Sequence, residues 1–209
     1  MTIRYVVSPK GGAGKTHVSV MLGRLLPDPV VIEHYSANDA ALAFPAAARM
    51  RFMNEADKDV LALEKAIGSV ADHQNIVVNT PPSVALSSLA KHADLLKPLG
   101  EQFGHESMIL AVINDSCVFG YGDLVPLMQA FGPDMRIILN GHGPADPTRW
   151  RFCEVMEDHI AAHQTPVIRV PEVPHSTVFD FLRQRPPGQG LAVRTLANRY
   201  INAVKEVLI

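Results

Sequence analysis

The chain has 209 residues, 47% of them hydrophobic and 19% charged, which is enough for one large hydrophobic core and short for two domains. A net charge of -2 supplies no overall attraction to nucleic acid, so any DNA contact has to use a local patch. Cys117 and Cys153 form no C-x-x-C pair and have no metal-ligand spacing. With no signal-peptide pattern at the start and no apolar stretch long enough for a bilayer, a soluble, cytoplasmic protein is expected.

In chain order, a strand is predicted at 3–8, a helix at 15–26, a strand at 30–34 and helices at 39–50 and 57–72. A strand at 75–79, a helix at 84–98, a strand at 108–113 and a helix at 121–131 follow. The chain closes with a strand at 136–140, a helix at 148–163, a strand at 166–170 and helices at 176–184 and 191–208. Breaker clusters such as Pro27-Asp28-Pro29, Pro81-Pro82 and Pro186-Pro187-Gly188 separate them, and none is long enough to link two domains. Alternating strands and helices predict an α/β class protein, a three-layer, doubly wound and mainly parallel sheet, formed by a single domain over 1–209.

The stretch Ser8 to His17, SPKGGAGKTH, lies between the first strand and the first helix. A glycine-rich turn there lets backbone N–H groups and the helix N-terminus bind phosphate oxygens. Lys15 would reach the β- and γ-phosphates and the Thr16 hydroxyl would ligate Mg²⁺. The ordinary G-x-x-x-x-G-K-[ST] pattern fails because its first position is Pro9, whereas K-G-G-x-G-K-T matches without a gap from Lys10 to Thr16.

That residue set resembles the deviant Walker A loop of the ParA/MinD superfamily of ATPases, and the resemblance extends over most of the chain. It implies the P-loop NTPase fold, with ATP and Mg²⁺ as cofactors. It also implies a homodimer assembled around ATP, in which Lys10 reaches the partner's nucleotide. Lys10, Gly11, Gly12, Ala13, Gly14, Lys15 and Thr16 are the implied phosphate-binding set. His17 flanks them where the family has a small residue, and packing at the helix N-terminus is its default role. Asn140 at the end of the fifth predicted strand stands where the family reads adenine, and Pro171, in Val170-Pro171-Glu172, where a loop covers the base. Thr80-Pro81-Pro82 looks like the switch II segment.

Two positions depart from the family. The strand before Pro81 ends in Asn79, where the family has an aspartate that holds Mg²⁺ through water, so Thr16 and Asn79 are the expected metal contacts with weakened charge. After the second strand the family reads D-x-D, while this chain reads Glu33-His34-Tyr35. A phenol titrates near 10 and cannot replace the second acid. Glu33 keeps a carboxylate at the first position and Asp39 is a candidate substitute for the second, so Lys10, Lys15, Glu33 and Asp39 are the expected catalytic set. Losing a water-positioning group costs about 10²–10⁴ in rate while phosphate binding survives. Weak or partner-stimulated hydrolysis is therefore expected, and an ATPase activity stays open at this stage.

The spacing of Leu89 to Leu96, Ile109 to Ile113 and Ile138 to Asn140 is similar in layout to plasmid stability and conjugal-transfer proteins, the StbB/TraL group. The implied role is plasmid stability, partition or DNA-transfer positioning. Because the chain begins at its first strand, the resemblance implies no N-terminal DNA-binding extension and hence a plasmid-encoded DNA-binding adaptor. Arg183, Arg185, Arg194, Arg199 and Lys205 offer a basic patch for nonspecific DNA, against the reading of a solvated helix face. The last helix places Leu196, Tyr200, Val204 and Val207 or Leu208 on one side; that face is expected on the sheet, not on a membrane. Alternatives are a nucleotide-binding scaffold without intrinsic ATPase activity and a MinD-like membrane-associated positioning ATPase.

Overall fold

The computed structural model describes residues 1–35, 40–81, 84–113, 121–140, 154–170, 180, 182 and 190–208. Seven strands form one sheet: β1 (Thr2–Val7), β2 (Pro29–His34), β3 (Ala46–Met50), β4 (Asn75–Asn79), β5 (Glu106–Ile113), β6 (Met135–Asn140) and β7 (Val167–Val170). Their order is β3-β2-β4-β1-β5-β6-β7, and every neighbouring pair is parallel. Parallel neighbours need crossover connections, which here use helices α1 (Lys15–Leu25), α2 (Ala56–Gly68), α3 (Val84–Lys91), α4 (Ala93–Gln102), α5 (Leu124–Phe131) and α6 (Glu154–Ala162), with only a 3-10 turn between β2 and β3; α7 (Leu191–Leu208) follows β7.

Side chains alternate across each strand, and both faces are apolar because both are covered. Ile3, Tyr5 and Val7 of β1 point into the core shared with α2, α3, α4 and α5, whereas Val6 points into the core shared with α1 and α7. Burying apolar surface on both faces is what holds the central strands β4, β1 and β5, of which β4 is buried at every residue.

The helix expected at 39–50 is not formed. Ala41–Ala43 make one 3-10 turn, and Ala46–Met50 are the edge strand β3, paired with Val30 to His34. Pro45 explains the difference: it has no N–H for a helix and disfavours helical backbone before it, and Phe44 is extended at φ −109, ψ 149. The helix expected at 84–98 is two helices, broken at His92, whose N–H closes a tighter turn on Leu89 O at 3.2 Å and whose ring meets Asp57 at 2.8 Å. The helix expected at 176–184 lies outside the described residues except for Asp180 and Leu182, and Leu182 is buried against α1 and α7.

Helix α7 docks through Ala197, Tyr200, Val204 and Leu208. Leu196, expected on this face, is 40% exposed, and Ala197 takes the inward place.

Candidate functional site

The C-terminal ends of β1, β2, β4 and β6 converge on the loop that follows β1. Ser8 is buried and clasps the next turn: its hydroxyl donates to Lys10 O at 2.9 Å and accepts from Lys10 N at 3.3 Å. This leaves the Lys10 side chain projecting on the exposed rim. Gly12 and Gly14 have φ of 77 and 97, a left-handed backbone that side-chain-bearing residues adopt at a cost. Successive N–H groups in such a turn point into one concavity suited to anions.

Helix α1 starts at Lys15 without a side-chain cap and without an acidic residue in its first turn. The positive dipole end of such a helix start, with no acidic side chain against it, favours an anion. Lys15 is buried at the foot of the loop and Thr16 is half-buried beside it, while Gly11 and Gly12 are exposed and Ala13 is buried.

Asn140, at the end of β6, lies across the loop. Its amide donates to Ala13 O at 3.1 Å, and its carbonyl oxygen is buried with no hydrogen-bond partner among the described residues. Gly14 must be glycine for this contact, since a Cβ there would run into the Asn140 amide. A buried acceptor without a donor is costly and is the kind of group a ligand donor satisfies.

Glu33 and Asn79 are register partners on β2 and β4. Glu33 is wholly buried and accepts from four donors: Ala40 N at 3.1 Å, Ala41 N at 3.2 Å, Arg49 Nη1 at 3.2 Å and Asn79 Nδ2 at 2.8 Å. Asn79 in turn accepts from the Ser19 hydroxyl of α1 at 3.1 Å. Its amide oxygen keeps one further lone pair, while Thr16 is not among its partners. Thr80 fastens the start of the next segment to β1, its hydroxyl and N–H both donating to Val6 O at 2.8 and 3.3 Å.

His17 turns toward the last helix. Its Nε2 lies 2.6 Å from the Tyr200 hydroxyl and the rings stack at 5.3 Å with a 20° tilt. Burial lowers the imidazole pKa to about 4 and raises that of the Tyr200 phenol.

The structure thus brings together Lys10, Gly11, Gly12, Ala13, Gly14, Lys15, Thr16 and Asn140, with Glu33 and Asn79 beneath. Asp39 and Pro171 lie outside the described residues, as do Arg183 and Arg185. Arg194, Arg199 and Lys205 are exposed on α7. Sequence reasoning gave no site role to Ser8, Ser19 or Arg49, and placed Thr80 only in the switch II segment and Tyr200 only on the packing face of the last helix. A serine just before the glycine loop was a local signal for Ser8; Ser19 and Arg49 depend on strand register, and the contact of Tyr200 with His17 on docking of α7. Tyr35 is 66% exposed and takes no place in the Glu33 network. Among the described residues no group of three or more His, Cys, Asp or Glu could hold a metal, and no helix is long and apolar enough to cross a membrane.

No family model matches the chain, and no curated protein matches it. Solved structures do. The MinD cell division protein of Aquifex aeolicus is 14% identical over 100% of this chain and 98% of its own, with a TM-score of 0.52. Apo McdA of Cyanothece is 15% identical with both chains covered in full, at a TM-score of 0.53, and an McdA variant in complex with ATP gives 0.51. A nucleotide-binding protein of Archaeoglobus fulgidus in complex with ADP is 10% identical over 88% of this chain and 86% of its own, again at 0.51. At these identities the likeness is one of fold, and the chain has the α/β P-loop NTPase-like fold of these MinD-type neighbours, with an all-parallel seven-stranded sheet flanked by helices.

Proposed function

We propose that the chain binds ATP with Mg²⁺ at the loop 8–16, associates with a second copy in that state, and hydrolyses the nucleotide slowly. The observation that carries this is the pairing of an uncapped, glycine-lined helix start with the buried, partnerless carbonyl of Asn140. The exocyclic amino group of adenine is a donor for that carbonyl; guanine presents a carbonyl at the corresponding ring position and leaves the acceptor unmatched. ATP is therefore favoured over GTP. The ADP and ATP present in two of the similar structures support the same ligand class.

In this reading the N–H groups of Gly11 to Lys15 cradle the phosphates, Lys15 neutralises them from below and Lys10, on the exposed rim, reaches the partner's nucleotide. His17 lines the site only through its backbone, its ring being committed to Tyr200. Mg²⁺, when bound, would neutralise phosphate charge. The Thr16 hydroxyl and the remaining lone pair of Asn79 are the side-chain oxygens offered to it or to its waters. Glu33 holds the architecture of the site; Asp39 remains the candidate for orienting water, and Pro171 for covering the base. The cellular role that fits is positioning of cargo such as a plasmid or transferred DNA through an adaptor, with Arg194, Arg199 and Lys205 as the described part of a basic surface for nonspecific DNA.

A second reading, a nucleotide-binding scaffold that does not turn over, is favoured by one feature. The buried carboxylate described beneath the loop, Glu33, is already saturated by four donors. Light scattering of the purified chain with Mg-ATP, alongside phosphate release with and without duplex DNA, tests both. The expected result is nucleotide-dependent doubling of mass, abolished in Lys10→Ala while ATP binding persists, and turnover above a Lys15→Ala blank. A monomer with ATP removes the dimer reading, and association without turnover selects the scaffold.

A further inference from the structure

We propose that Glu33 and Asn79 are a coupled acid–amide pair: the one buried carboxylate described beneath the nucleotide loop stands on β2, and the identity of residue 79 is set by the need to donate to it. As a positioning group, Glu33 fixes the turn at Ala40 and Ala41 and, through Asn79, the end of β4 and the first turns of α1.

The geometry carries this without reference to a ligand. A carboxylate accepts only and offers about four lone-pair directions. All four are taken, by two backbone N–H groups, one guanidinium and the Asn79 amide. The Glu33–Asn79 contact is a cross-strand register pair with both side chains buried, at 0% and 6% exposure. The amide orientation follows from its neighbours: the nitrogen must face Glu33, so the oxygen faces the Ser19 hydroxyl. An amide of this length donates to one neighbour and accepts from the other at once without adding a charge. Aspartate at 79 would accept from Ser19 but would set a second carboxylate against Glu33 at hydrogen-bond distance, where two buried like charges cannot both ionise. Asn79 is thus the donor that Glu33 requires, and the pair's carboxylate stands on β2, one strand away from the β4 position that meets Ser19 of α1.

Four proteins test the pair: the parent, Asn79→Asp, Glu33→Gln and the double variant that moves the acid to β4 and the amide to β2. Thermal midpoints without nucleotide decide the coupling, independently of the nucleotide reading on which the functional consequence rests. Asn79→Asp is expected to melt well below the parent, and the double variant to regain at least half of that loss. If Asn79→Asp yields no folded protein, recovery of folded protein in the double variant supports the pair and failure of both overturns it. Equal midpoints for parent and Asn79→Asp, or additive losses in the double variant, also overturn it. The second readout is the Mg²⁺ concentration that half-saturates ATP binding, which is expected to fall about ten-fold in the double variant because an anionic oxygen then stands on β4 next to α1. An unchanged Mg²⁺ requirement overturns the claim that the strand carrying the pair's carboxylate sets the metal affinity. If the parent binds no ATP at all, the nucleotide reading fails while the midpoints still decide the pair.

Discussion

The Tyr200 hydroxyl and His17 Nε2 lie 2.6 Å apart, joining the last helix to the residue that follows the nucleotide loop. The stacked rings place a neutral imidazole in a desolvated seam between α1 and α7, where burial holds its pKa at about 4. Because the folded-state pKa is below the unfolded value near 6.5, the fold favours the neutral form. This contribution is complete above about pH 6.5 and is lost as pH falls from there toward 4. Its size is on the order of 3 kcal/mol. Urea unfolding at pH 7.5 and at pH 4 should show the parent losing about 3 kcal/mol more than His17→Phe, in which the titrating group is gone. Parallel pH profiles for the two proteins would contradict the assignment.

Tyr200→Phe keeps the ring stack and removes the hydroxyl. A net loss of about 1 kcal/mol in folding free energy is expected, since one hydrogen bond is removed and the ring contact stays. Hydrogen exchange should then quicken in α7, with the sheet unaffected. An unchanged α7 would mean that Ala197, Val204 and Leu208 hold the helix alone.

Gly14→Ala should abolish nucleotide binding while costing only about 1–2 kcal/mol of stability. The residue has φ 97, and its new Cβ would displace the Asn140 amide from Ala13 O. Chemical denaturation and a fluorescent-ATP titration on the same sample separate the two effects. Retained ATP affinity would show that the Asn140 contact is dispensable.

Asp59 is wholly buried on α2, accepting from Met53 N at 2.6 Å and from the Ser88 hydroxyl of α3 at 2.7 Å. It ties the connection after β3 to the helix that follows Pro81. Asp59→Ala leaves two buried donors unmatched, and a loss of about 2–4 kcal/mol is expected in urea melts, with Asp59→Asn milder. Equal losses for the two variants would point to packing instead of the hydrogen bonds.

Local chemistry made part of this molecule legible in the sequence. Strand 75–79 and helix 191–208 coincide with β4 and α7, because a β-branched run bounded by polar residues and a long amphipathic pattern each have one reading. The segment 39–50 misleads because alanine is a good helix former, and only Pro45 betrays the strand that pairing with β2 stabilises. The loop from Lys10 to Thr16 was legible because its backbone conformation demands glycine. The Glu33–Asn79 pair was not, since it is created by the register of β2 against β4, which no local pattern encodes. Likewise, nothing in the sequence near His17 announces Tyr200, which is 183 positions away.

The central claim, that the loop is an adenine nucleotide site, is tested most directly by isothermal titration of Mg-ATP and Mg-GTP into the parent, with Lys15→Ala as the blank. The account predicts saturable one-to-one binding of ATP, weaker binding of GTP because of the Asn140 carbonyl, and no binding of either to Lys15→Ala. Absence of ATP binding to the parent, or equal affinity in the parent and Lys15→Ala, would contradict it.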